Sequence, residues 1–298
     1  MLTDIITYFS HAAVVVFGLL TLLWVVSVAV RDASLVDIFW GFGFLVVGTV
    51  CLYLVSVKTP YIWLLGSLPI IWGLRLTLYL GKRNLGIFGG HGGEDKRYVN
   101  MRRRAKKTKG LREMPWRLRS LFTIYWGQGL LIMIVSAPIW VAMASAITTG
   151  SGGAYGADEL TVAAIDSIAI GPLAILGAAL WLIGFLFEAI GDAQLATFLK
   201  RNKGYDGPIE TKPVMDHGLW KFTRHPNYFG NACVWWGIWL IACQAPWGWA
   251  TVFAPIIMTL LLTKVSGRDL LERDMGKRKT YQAYMERTSS FFPRPSKI

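Results

Sequence analysis

The sequence predicts an all-α, polytopic membrane protein of about seven transmembrane helices, with the N-terminus outside and the C-terminus in the cytoplasm. Three observations carry that reading. Long apolar runs recur along all 298 residues, 54% of the chain is hydrophobic, and the Lys and Arg residues crowd into three segments. Soluble domains sit nearer to about 45–50% apolar. A helix rises about 1.5 Å per residue, so about 20 apolar residues cross about 30 Å of hydrocarbon.

The runs are residues 5–30, 36–57, 61–80, 121–147, 170–190, 232–245 and 247–263. The first has no basic residue before it, only Asp4, and is too long for a signal peptide, so it reads as a true first helix. The second opens with Asp37. The third carries Arg75 about a turn and a half from its far end. The fourth, residues 121–147, reads as a single span with Gln128 in its second turn. The fifth ends with Glu188 and Asp192, four residues apart on one face. The sixth is short and counts as a span when its polar start from Asn227 is included. The seventh is closed by Lys264, with Arg268 four residues later.

Charge sets the orientation. Segments 81–119, 196–225 and 264–298 hold 28 of the 31 Lys and Arg residues, whereas 148–169 holds none. The positive-inside rule places the three basic segments in the cytoplasm. The net charge of +13 is thus mainly a topology signal, together with attraction to anionic lipid headgroups. Nucleic-acid binding needs a recognition fold that the chain does not offer. Cys51, Cys233 and Cys243 lack paired spacing, and four scattered histidines form no ligand set, so neither a disulfide framework nor a metal is expected.

Asp37, Arg75, Gln128, Glu188, Asp192, Asn227, Asn231, Lys264 and Arg268 all fall near the cytoplasmic ends of their helices. Such groups are costly in lipid and functional by default. A shared depth predicts one polar cavity open to the cytoplasm. The plainer alternative is a scatter of interfacial residues and ion pairs such as Asp37–Arg75. Glu188, Asp192 and Asn227 are acceptors suited to ribose hydroxyls or an adenine edge. Lys200, Arg201, Arg224, Lys264 and Arg268 are donors suited to phosphates. Together they have the chemistry of a nucleotide site built on helices. The glycine-rich stretch 86–93 lacks the strand a dinucleotide fingerprint needs and reads as a flexible loop. Segment 196–217, broken by glycines and prolines, reads as a cytoplasmic loop able to cover a ligand. Residues 270–290 read as a basic helix with Tyr281 and Tyr284 lying on the membrane surface.

The densest cluster is Gly218-Leu-Trp-Lys-Phe-Thr-Arg-His-Pro-Asn-Tyr-Phe-Gly230, followed by Trp235-Trp236-Gly237. It resembles the C-terminal domain of the steroid 5α-reductase superfamily, and in particular its bacterial branch. Residues 32–41, 72–75, 97–104, 187–192 and 265–284 share that likeness, which covers nearly the whole chain. The resemblance implies a single integral membrane domain over residues 1–298, in a bacterial cytoplasmic membrane. Residues 1–147 would supply substrate-side helices and 170–298 a cofactor-binding half for NADPH. The cofactor residues it implies are Glu188, Asp192, Lys200, Arg201, Arg224, His225, Asn227, Tyr228, Lys264 and Arg268. It further implies hydride transfer to the β-carbon of a steroid-like or other lipid enone drawn from the bilayer. Trp40 and Trp72 would line the substrate, and Asp37 or Tyr79, with Arg75, would polarise its carbonyl. Glu188 stands where the eukaryotic enzymes have asparagine, and Trp72 where they have the catalytic tyrosine. Two rivals remain: an S-adenosylmethionine-dependent methyltransferase, which shares Arg224-His225-Pro226 and the pattern of Glu272 with Tyr281 and Tyr284, and a non-enzymatic lipid-binding protein.

Overall fold

In lipid a helix satisfies its own backbone, and every regular element described in this chain is helical. The computed structural model describes residues 1–84, 94–106, 115–148, 170–265 and 267–296. The glycine-rich loop 86–93 and nearly all of segment 148–169 lie outside the described residues.

The helices are α1 (Leu2–Val30), α2 (Leu35–Leu54), α3 (Pro60–Asn84), α4 (Lys96–Lys106), α5 (Trp116–Val135), α6 (Ala137–Thr148), α7 (Pro172–Arg201), α8 (Pro226–Ala242), α9 (Phe253–Leu260), α10 (Arg268–Met275) and α11 (Lys279–Arg287). Among the described residues six stretches are long and apolar enough to cross a membrane: α1, α2, α3, α5, α7 and the stretch from Gly248 that contains α9. With 17 residues, α8 is shorter. Charge ends the last span near Val265, because α10 carries Arg268, Asp269, Glu272, Arg273 and Asp274 within eight residues.

Three expectations differ from the structure. The run 121–147 is two helices, α5 and α6, separated at Ser136. Pro138 has no N–H to offer the Ile134 carbonyl, and at the break the Ser136 hydroxyl donates to the Met133 carbonyl at 3.2 Å. Residues 196–201 are the last turn of α7 rather than loop. The tail 270–290 is two short helices parted at Gly276, not one.

The chain divides into two compact units: residues 1–171 with 242–251, and residues 172–241 with 252–298. In the first unit α2 and α3 form an antiparallel pair at very close range. A Cβ on Gly41 would stand 2.7 Å from the Gly73 carbonyl oxygen, and one on Gly73 would stand 2.5 Å from that of Gly41. Small residues let helix backbones approach this closely without a hydrophobic driving force. Trp72 is fully buried beside Phe44, with ring centroids 5.5 Å apart, and Phe44 also meets Trp40 at 5.4 Å.

The second unit repeats the device. On α7 the buried stripe is Ala174, Gly177, Trp181, Gly184, Glu188, Gly191, Asp192 and Ala196, at helical spacing. Gly177 meets Gly237 of α8, and Gly184 meets Gly230, each leaving no room for a Cβ. The opposite face exposes Leu176, Leu182, Ile183, Leu186 and Ile190, as a lipid-facing surface does. The stripe therefore carries two acids into the tightest contact of the unit.

Candidate functional site

Three constellations hold most of the polar chemistry. The first, in the first unit, centres on Asp37. Its two carboxylate oxygens accept from Arg97 Nη2 at 2.7 Å and from the Tyr98 hydroxyl at 2.6 Å. Gln128 Nε2 donates to the same Tyr98 oxygen at 3.4 Å. Glu94 pins this segment by accepting from the Ala33 N–H at 3.1 Å and pairing with Arg102. Tyr98 is buried, and burial together with the Asp37 charge pushes its phenol well above the ordinary range, so it keeps its proton.

Asp37 is thus held by a guanidinium and a phenol, and the phenol it holds is Tyr98. Tyr79 lies under Arg75 of the same helix, 5.3 Å from ring to guanidinium. Tyr98 escaped the sequence reading because segment 81–119 is so basic that its charges read as a topology signal. The clue was present in Glu94-Asp-Lys-Arg-Tyr98, where two acids break the basic run just before an aromatic.

The second constellation lies on α7 and α8. Asn227 Nδ2 donates to Asp192 Oδ1 at 3.0 Å, and Asn231 Nδ2 faces Glu188 Oε1 at 3.4 Å. Glu188 and Asp192 are each 3% exposed. The i, i+4 spacing on each helix sets the two carboxylate–amide pairs one turn apart. Asn231 Oδ1 is buried and has no donor among the described residues. A buried acceptor without a partner is costly, and a ligand hydroxyl or amine would satisfy it.

The third is built by the Gly218–Gly230 motif. Gly218 takes a φ of +61°, which glycine tolerates, and turns the chain so that Leu219 N–H reaches Gln194 Oε1 at 3.1 Å. Trp220 Nε1 then donates to the Gly191 carbonyl at 3.0 Å, docking the motif on α7 beside Asp192. Arg224 donates to both oxygens of Glu272 at 2.8 and 3.0 Å, and to the carbonyls of Met285 and Thr288 at 3.1 and 2.6 Å. His225 Nε2 meets Glu272 at 2.9 Å while its ring stacks on Tyr228. Burial lowers the His225 pKa against the pull of Glu272, so the ring is neutral and donates from Nε2. For Glu272, burial works toward protonation, but the bonds from His225 and Arg224 prevail and hold its pKa at about 2.

Arg224 and His225, expected as cofactor ligands, are therefore committed to a buried internal clamp that ties the motif to α10 and α11. Most guanidinium donors of Arg224 are already used. The other expected phosphate ligands stand apart from the clamp. Lys200 and Arg201 are exposed at the end of α7. Lys264 sits on a π-helical turn, Leu261–Val265. That turn closes at Gly267, where a Cβ would collide with the Leu262 carbonyl at 1.9 Å. Lys264 and Arg268 line a cleft of about 350 Å³ with Thr259, Thr263, Ser289, Ser290, Phe291, Phe292 and Arg294. Among the described residues no group of His, Cys, Asp and Glu side chains could hold a metal ion.

Chemically, the second unit offers buried acceptors for hydroxyls and a basic cleft for anions. The first unit offers a buried phenol held by a charge-neutralised carboxylate. That combination defines a helical, multi-span protein with polar clusters buried among its helices. The chain belongs to DUF1295, a steroid 5α-reductase-like family of proteins of unknown function, whose profile matches residues 23–288. It is also similar to an uncharacterized protein of Schizosaccharomyces pombe, 25% identical over 93% of this chain and 77% of the yeast protein. No solved structure matches it.

Proposed function

We propose that the protein is a membrane reductase that uses NADPH to saturate a carbon–carbon double bond conjugated to a carbonyl in a lipid-like substrate. The observation that carries this reading is the double carboxylate–amide array on α7 and α8. Two acids buried between close-packed apolar helices are costly to keep there, and intramembrane acids are functional by default. The unsatisfied Asn231 acceptor suits a ribose hydroxyl or an adenine amine. NADPH, when bound, supplies the hydride. Asp192 and Asn227 would hold its ribose or base, and Lys264 with Arg268 its phosphates.

As charge builds on the substrate oxygen, a donor there stabilises it. Tyr98 is that donor. Its single proton turns from Asp37 to the arriving carbonyl oxygen, while Arg97 keeps the Asp37 carboxylate neutralised. Trp40, Phe44 and Trp72 pack on one another and keep the interior of the first unit apolar, which suits a water-poor substrate.

Asp192→Ala and Asn227→Ala should each weaken NADPH binding by about 1–3 kcal/mol, the value of a hydrogen-bond partner, with folding retained. Titration of purified protein by tryptophan-fluorescence quenching measures it. Unchanged affinity in both variants refutes the nucleotide site. Methyl transfer from S-adenosylmethionine, with no NADPH oxidation on a panel of enones, would replace the reductase reading with its rival.

On the same reading the N-terminus lies outside and the basic segments inside. In a variant lacking the three native cysteines, Lys58→Cys should react with an impermeant maleimide on intact spheroplasts. Lys203→Cys should react only after lysis. The reverse pattern overturns the orientation.

A further inference from the structure

We propose that residues 289–294 form a strap that completes a seat for a phosphate or diphosphate group, with Arg294 as a direct ligand beside Lys264 and Arg268. The nucleotide reading enters only in naming NADPH as the bearer of that group.

The strap is fastened edge to edge along the Phe222–Arg224 backbone. Arg224 N–H donates to the Ser289 carbonyl at 2.9 Å, and Arg294 N–H to the Phe222 carbonyl at 2.9 Å. Between them the Thr223 hydroxyl donates to the Phe291 carbonyl at 2.8 Å. Phe291 is buried against Phe229, with ring centroids 6.0 Å apart. These contacts use backbone groups, one hydroxyl and one apolar anchor. They leave the side chains of Ser289, Ser290 and Arg294 to line the cleft opposite Lys264 and Arg268.

The chemistry of the lining favours a dianion. Lys264 and Arg268 share one carboxylate, Asp269, at 3.3 and 2.7 Å. Arg294 has no acidic partner among the described residues, and the Ser289 and Ser290 hydroxyls have no protein partner there. Three cations against one carboxylate leave a formal +2, which a phosphate monoester or a diphosphate neutralises. By contrast, Thr259 and Thr263 spend their hydroxyl protons on Pro255 and Thr259 carbonyls one turn back. The seat therefore relies on the strap for its hydroxyl donors. At about 350 Å³ the cleft lies at the low end of ligand sites, which run from about 300 to 1,000 Å³. It fits the phosphate-bearing part of a dinucleotide rather than the whole. A lipid headgroup offers the same phosphate chemistry from the bilayer.

The test uses full-length protein in detergent, with thermal midpoints titrated against inorganic pyrophosphate, NADPH, and phosphatidylglycerol or phosphatidylcholine mixed into the micelles. The variants are Arg294→Gln and the Ser289→Ala/Ser290→Ala pair, neither of which touches the strap's backbone bonds. Pyrophosphate should stabilise the parent, and each variant should weaken that binding tenfold or more, with a matching loss for NADPH. A loss confined to phosphatidylglycerol keeps the seat and assigns it to a headgroup. Pyrophosphate bound by the parent and lost in the variants, with NADPH bound by neither, keeps the seat and removes the reductase reading. Equal binding of all three probes by parent and variants overturns the seat while leaving NADPH binding elsewhere intact.

Discussion

Tyr98→Phe should lower turnover on an enone substrate by about 10²- to 10³-fold, the range for a lost oxyanion donor. Affinity for NADPH should stay unchanged, because Tyr98 bonds Asp37 and Gln128 rather than Asp192 or Asn227. The substitution removes one oxygen and little volume. Asp37 keeps its bond from Arg97 at 2.7 Å, so the local fold survives. Asp37→Asn acts differently. It leaves Arg97 without that counter-charge and changes what the Tyr98 hydroxyl donates to, so it should lower turnover through Tyr98 and destabilise the segment as well. Steady-state kinetics with a conjugated enone, alongside NADPH titration, separates the two. Full activity in Tyr98→Phe would return the proton-donor role to Tyr79 or to water.

Glu272→Gln should destabilise the folded protein by about 3–5 kcal/mol, the cost of leaving a buried charge without its partner. The Arg224 and Glu272 side chains are only 8% and 13% exposed, so solvent offers little relief. The substituted amide could still accept one bond, but Arg224 would lose its counter-charge and His225 its strong acceptor. The thermal midpoint in detergent should fall on the order of 10 °C. The pH dependence has a definite sign. The folded carboxylate titrates at about 2 against an ordinary 4.5, so its contribution is full above the ordinary value and is lost as pH falls toward 2. The gap between parent and variant should thus be wide at pH 7 and shrink progressively as pH falls from 4.5 toward 2. Equal midpoints at pH 7 would mean that the clamp contributes nothing.

Much of the architecture was legible because the bilayer restricts it. Run length and basic asymmetry were enough to predict a helical, multi-span chain, and the i, i+4 spacing of Glu188 with Asp192 and of Asn227 with Asn231 put two polar pairs on facing stripes. The break at Ser136 was missed because composition around Pro138 is as apolar inside a kinked helix as inside a straight one. The Arg224–Glu272 bond was not legible, because an arginine beside His-Pro-Asn-Tyr has the same appearance whether it meets a phosphate or a glutamate 48 residues away. Tyr98 and the strap share that cause: their partners lie across long stretches of chain, and no local pattern announces a long-range hydrogen bond.

The strap also imposes an order of events during synthesis. Arg224 is made 65 residues before Ser289, counted from their positions in the sequence. At about 5–20 residues per second, it waits roughly 3–13 s at the membrane before the last of its partners, Glu272, Met285 and Thr288, has been made. During that interval α8, α10 and α11 are still being made, so the guanidinium cannot complete its buried bonds until translation has passed residue 288. A messenger truncated before codon 272 would yield a chain whose Arg224 lacks its carboxylate.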